Sequence, residues 1–316
     1  MPNGYEYKTN RAPFLRSGDT TRVIMLDVCV ALAFPAAFAC YCYGLGVLYR
    51  LLFSAAVCYL ADVLCTVLAG RKAGIGDFSP MVTRFILTMM LPATISYTVL
   101  TVGCLFAILV AKQPFGGIGN NIFNPAAAGM AFVTVIWSDK LFWYPMPFGV
   151  EGMARNLSYV LKFGGVPSVS MSDILVGNYC APIGTANLLI LIGCFLFLAL
   201  QRTVSGRITL SYLLTVAVIS CLFPRVNCTA WESVVYEMTS GYLFFAAVFM
   251  VTDPVTAPKH DLSKILYGVT AGVLTMVFRH VGGYEQTVCF ALLLTNALSH
   301  SFDRLTLYFM ARRLKS

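Results

Sequence analysis

The residues best suited to chemistry lie in two proline-bounded breaks. The first is Lys112-Gln113-Pro114-Phe115-Gly116-Gly117-Ile118-Gly119-Asn120-Asn121-Ile122-Phe123-Asn124-Pro125, and the second is Thr252-Asp253-Pro254. Glycines such as Gly117 and Gly119 let backbone N–H groups approach a ligand closely. The carboxamides of Asn120 and Asn124 both donate and accept, which suits a flavin ring edge, a quinone carbonyl or a dehydrated cation. Thr252 and Asp253 add a hydroxyl and a carboxylate. The same residues fit a plainer role, with Asn-Pro and Asp-Pro capping helix ends and the glycines making a packing turn. The stretch lacks the strand–turn–helix setting and Lys-Ser/Thr ending of a phosphate loop.

Three charges fall inside apolar runs: Asp27, Asp62 and Arg84. Ionisable groups there need a partner or a function, so they read as an internal ion pair or as steps of a proton or sodium path. The chain carries only three histidines, His260, His280 and His300, beside terminal loops. No nucleophile elbow, zinc-ligand pair or paired acid/base spacing stands out, so neither hydrolytic catalysis nor a metal centre is expected. The 11 cysteines lie mostly in apolar runs, where they act as small hydrophobes, and no CxxC pair occurs. Cys180 and Cys228 fall in loops placed outside, and a disulfide between them stays open.

The elements that must position these groups are membrane spans. The 316 residues are 58% hydrophobic and 11% charged, with mean hydropathy +0.76, against about 25% charged for a soluble domain. Apolar runs suggest spans near 23–43, 47–69, 80–93, 95–111, 122–138, 185–201, 207–223, 239–252, 265–279 and 286–303. The fold class is therefore an all-α polytopic membrane protein with about ten transmembrane helices. Long runs without alternation disfavour a barrel. The short spans bounded by Pro80 and Pro92, or ending at Pro254, read as broken or re-entrant segments.

The net charge of +8 is a topology marker here, and no nucleic-acid partner is expected. Of 22 Lys and Arg, fifteen fall on the side of the N-terminus, six opposite and Arg84 within a span. Both termini are thus expected inside, with a cytoplasmic segment 1–22 and a basic tail 304–316. The first span is expected to be kept, because the polar Met1–Arg22 stretch and the run after it do not make a cleavable signal. The loop 139–184, placed outside, divides five-span halves 23–138 and 185–303. Five is odd, so the halves insert with opposite orientation as inverted repeats.

The segments "SPMVTRFILTMMLP", "AKQPFGGIGNNIFNPAAAG", "FMVTDPVTAP" and "YGVTAGVLTMVFRHVGGYEQTVCFALLLTNAL" resemble, in this order over roughly 20–310, the D subunit of the Rnf electron-transport complex and its relative, the B subunit of the sodium-pumping NADH:quinone oxidoreductase. The resemblance implies a bacterial inner-membrane component of a redox pump, built on two inverted halves similar to urea and ammonium channels. It implies coupling of electron flow between ferredoxin and NAD to sodium or proton movement. Implied partners are the A and E membrane subunits, the G flavoprotein subunit, and the B and C peripheral subunits. The family also implies a flavin mononucleotide esterified to a threonine in the outer loop. Here Asn156 takes that position and has no hydroxyl, so covalent flavin is expected to be absent and any FMN or riboflavin non-covalent. Gly117, Gly119, Asn120, Asn124, Thr252 and Asp253 are the expected flavin, quinone or ion contacts, with Asp27, Asp62 and Arg84 on an ion path. A redox-inert scaffold and a stand-alone channel for a small polar solute are the rival readings.

Overall fold

A computed structural model describes residues 21–70, 79–117, 120–282, 284 and 286–313. Continuous runs of Leu, Val, Ala and Phe form helices because lipid offers backbone groups no other partner. The first half comprises α1 (Thr21–Tyr43), α2 (Leu45–Leu68), α3 (Ser79–Met89), α4 (Tyr97–Leu109) and α5 (Pro125–Leu141). The second comprises α8 (Leu188–Leu200), α9 (Gly206–Leu222), α10 (Ala230–Thr239), α11 (Leu243–Phe249), α12 (Asp261–Val281) and α13 (Val288–Arg313). Four stretches, Arg22–Tyr43, Leu45–Leu68, Tyr97–Phe115 and Asp261–Val281, are long and apolar enough to cross a membrane. With the shorter apolar helices around them they make an all-α, multi-pass membrane protein.

The packing order of the first half recurs in the second. Helix α2 packs on α3 and α4, and α4 on α5; likewise α9 packs on α10 and α12, and α12 on α13. Across the halves, α1 meets α8 and α5 meets α13. Helices α4 and α5 cross at two glycines, where a Cβ on Gly129 would stand 2.7 Å from the Gly103 carbonyl oxygen. Only a residue without a side chain fits there.

Each expected span coincides with a helix, but α3 and α11 end well inside the bounds expected for them. Helix α3 stops at Met89, and the chain unwinds toward Pro92. The freed carbonyls of Met89 and Leu91 accept hydrogen bonds from Gly184 N (2.8 Å) and Ile183 N (3.1 Å), so backbone from the end of the loop 139–184 completes the hydrogen bonding of this unwound stretch. Helix α11 covers only 243–249 because the chain breaks at Ser240-Gly241-Tyr242, where Gly241 has φ 65°.

The loop 139–184 is itself structured. It holds the two-residue strands β1 (Tyr144–Pro145) and β2 (Met153–Ala154), paired antiparallel, then α6 (Leu157–Lys162) and α7 (Met171–Val176). Leu157, Leu161, Ile174 and Tyr179 pack with Val226 and Tyr236 of the second half. Cys180 and Cys228 both carry free thiols.

Candidate functional site

Asn124 caps α5: its Oδ1 accepts from Ala127 N at 3.1 Å, and Pro125 fills the first helical position, where a missing N–H costs nothing. Its Nδ2 donates to Asp253 Oδ2 at 3.5 Å, so the two proline-bounded breaks face each other. Asp253 is held in turn by Val255 N on Oδ1 (3.2 Å) and Thr256 Oγ1 on Oδ2 (3.3 Å). The Thr252 hydroxyl donates back to Val248 O at 2.5 Å.

Between the breaks lies a cavity of about 50 Å³, walled by α1, α3, α5, the end of α8 and the end of α11. Its polar lining is Asn121, Asn124, Thr252, Asp253, Thr203, Ser79 and Thr83, and no Lys, Arg or His lines it among the described residues. Asp27 lies one hydroxyl away, since Thr203 Oγ1 donates to its Oδ2 at 2.9 Å. A carboxylate in a lining that holds no Lys, Arg or His among the described residues, hydroxyl and amide oxygens, and room for one or two water-sized species suit a small, partly dehydrated cation.

The remaining candidates disperse. Gly117 (φ 85°) lies in the turn after the 3-10 segment Gln113–Phe115. Oriented to donate, the Asn121 amide reaches Gly117 O (3.1 Å) and Lys112 O (3.2 Å) and ties that turn together. Asn120 is exposed and does not line the cavity, and Gly119 lies outside the described residues. Asp62 pairs with Lys112 (Oδ1 to Nζ, 3.0 Å) and accepts from Gln113 Nε2 (2.8 Å), away from the cavity. Arg84 donates from Nη1 to Leu51 O at 2.6 Å, while its buried Nε has no partner among the described residues. Asp27, Asp62 and Arg84 therefore form no ion pair with one another.

Asn156 is fully buried and caps α6. Its Nδ2 donates to Cys180 O at 2.7 Å, and its Oδ1 accepts from Ser158 N (3.2 Å) and from Gly241 N (2.8 Å). It thus fastens the outer loop to the break between α10 and α11.

The same break is served by groups that sequence reasoning passed over. Glu237 at the end of α10 binds Arg225 Nε and Arg279 Nη1 at 2.5 and 2.6 Å, with all three side chains buried. Arg279 also donates to Ser240 O (2.9 Å), and Gln286 Oε1 accepts from Tyr242 N (3.1 Å). The opposing guanidiniums hold the Glu237 carboxyl below the usual carboxylate range despite burial. The helix before the break was signalled by Thr229-x-x-Glu232, which forms a capping box.

A sequence profile of the group described as NQR2, RnfD, RnfE matches residues 8–309, nearly the whole chain. The chain belongs to the NQR2, RnfD, RnfE family. Among relatives within that family, it is 31% identical to the D subunit of the "Ion-translocating oxidoreductase complex" of Stutzerimonas stutzeri, with 89% of each chain covered. It is 30% identical to the D subunit of the "Na(+)-translocating ferredoxin:NAD(+) oxidoreductase complex" of Acetobacterium woodii, over 96% of this chain and 95% of that one. It is also 27% identical to the D subunit of the "Proton-translocating ferredoxin:NAD(+) oxidoreductase complex" of Clostridium ljungdahlii, over 95% and 94% respectively. The family membership and the cavity agree in kind, because a polar, acidic site in an apolar core is what an ion-handling membrane protein requires.

Proposed function

We propose that this chain is a membrane component of an Rnf-type complex, in which electron transfer between ferredoxin and NAD is coupled to movement of sodium ions or protons. The observation that carries this is the acidic cavity between Asn124 and Asp253, in a chain whose relatives are named for ion translocation. On this reading Asp253 and, through Thr203, Asp27 attract the ion, and the Asn124 and Thr252 oxygens replace part of its water shell. The partners are the A and E membrane subunits, the G flavoprotein subunit, and the B and C peripheral subunits. The setting is the bacterial inner membrane with both termini cytoplasmic, the halves 23–138 and 185–303 inverted, and the loop 139–184 outside. The recurring packing order supports the paired halves.

A flavin does not fit the cavity in this state: ring-sized ligands occupy pockets of roughly 300 Å³ or more, against the 50 Å³ present. No step is therefore assigned to flavin at these residues. A redox-inert role for this chain, with electrons carried by partner subunits, is favoured by Asn156, whose amide is committed to the loop and the break.

The test is redox-driven ion uptake by the complex in proteoliposomes. Replacing both Asn124 and Asp253 by Ala is expected to abolish uptake, and Asp253→Asn alone to raise the half-saturating ion concentration about tenfold, equivalent to 1.4 kcal/mol. Full uptake by the double variant overturns the proposal.

A further inference from the structure

Helix α2 is the most outward-facing of the four long spans: 22% of its most apolar stretch lies inside the molecule, against 39–44% for the others. Its 24 residues extend about 36 Å, which places Tyr59 about 4 Å and Asp62 about 8 Å from its middle. Tyr59 is 53% exposed, and its hydroxyl has no hydrogen-bond partner among the described residues. Tyrosines that face lipid belong at the interfaces, where the hydroxyl reaches headgroups or water; one near the bilayer centre leaves that hydroxyl without either.

Asp62 lies three residues on, on the same face. Both bonds from its neighbours, Lys112 Nζ at 3.0 Å and Gln113 Nε2 at 2.8 Å, fall on Oδ1, and among the described residues Oδ2 receives none. Its side chain is 15% exposed. A charged group at this depth is expected to face protein rather than lipid. Exposed positions midway along three other helices differ: Ile192 and Leu196 on α8, Leu214 and Val218 on α9, and Val269 and Val273 on α12 are all apolar. Lipid satisfies those faces and leaves the α2 face with two unmet polar atoms.

We infer that the α2 face bearing Tyr59 and Asp62 is a docking surface for a transmembrane helix of another protein of the complex, one that presents a hydrogen-bonding side chain near the bilayer midplane. The inference rests on the reading above that this chain works within a multi-subunit complex, and it adds where the contact lies and what chemistry the partner offers. Hydrogen bonds between spans contribute about 0.6 kcal/mol on average and up to about 1.7, so one lost bond weakens association by roughly threefold or more.

The experiment uses the assembled complex with p-benzoylphenylalanine at position 59 and, in a second preparation, at position 196 on α8. Illumination in membranes is expected to join position 59 to a spanning segment of a different polypeptide of the complex, identified by mass, while position 196 joins lipid. Lipid adducts alone at position 59, or adducts confined to this chain's own residues 1–20 or 71–78, overturn the inference. Tyr59→Phe is expected to lower by about threefold the partner membrane proteins retained through detergent exchange; unchanged retention overturns the role of the hydroxyl. Failure of any complex to form refutes the proposed function instead, so the two failures are distinguishable.

Discussion

At the scale of single residues, Asn156 shows how one substitution replaces chemistry with structure. A threonine there would offer an ester site; the asparagine offers an amide that joins Cys180 O to Gly241 N. Denaturing electrophoresis of the purified chain is expected to show no flavin fluorescence, and a fluorescent band would refute the assignment of position 156. Asn156→Ala is expected to destabilise the protein by about 1–3 kcal/mol for each buried group left unpaired, read as a lower melting temperature and faster amide exchange at Gly241. The residues of the cavity were half legible in sequence. Asn124 and Asp253 announce themselves because each precedes a proline in an apolar run. Thr203 does not, because a threonine in a short polar turn has no spacing that points to Asp27, α1 being brought to it only by helix packing. Asp62 was legible as a buried charge but not as the partner of Lys112, fifty residues away.

Among the elements, the unwound stretches after α3 and before α11 each depend on distant partners. The ten apolar runs each fall on a helix, because in lipid a long apolar run has few alternatives to one. The stopping points were less legible: nothing local to Met89 and Leu91 reveals that Gly184 N and Ile183 N will complete their hydrogen bonding. The stretch Ser240–Tyr242 depends on Glu237, Arg279 and Gln286, whose charges and amide look like loop features when read in line. Glu237→Gln leaves Arg225 and Arg279 buried with no carboxylate, and a loss of about 3–5 kcal/mol is expected in thermal unfolding. Gly241→Ala is expected to be at least as damaging, since its φ is positive and an added Cβ would collide with the Gln286 carboxamide. At the outer loop, Asp173 is held below the usual carboxylate range by hydrogen bonds from Ser170 and Asn178. A lowered folded-state value gives stability that is present above the ordinary carboxylate range and lost as pH falls through the folded value. Hydrogen exchange of α7 is therefore expected to accelerate at strongly acidic pH, before the spans respond.

For the whole molecule, the distribution of charge predicts the topology. A phosphatase reporter inserted near residue 170 is expected to be active outside the cell membrane, and a fluorescent protein fused after residue 316 is expected to fold inside; the reverse pattern would overturn the orientation. The loop 139–184 and the unwound stretch at 240–242 are separate in sequence, yet the single carboxamide of Asn156 bonds both. That amide acts as a tie rod. A partner that pulls on the loop must either shear the bond to Gly241 or drag the backbone at 240–242 along with it, and the Tyr179 hydroxyl, which donates to Thr239 O, carries part of the same load to the end of α10.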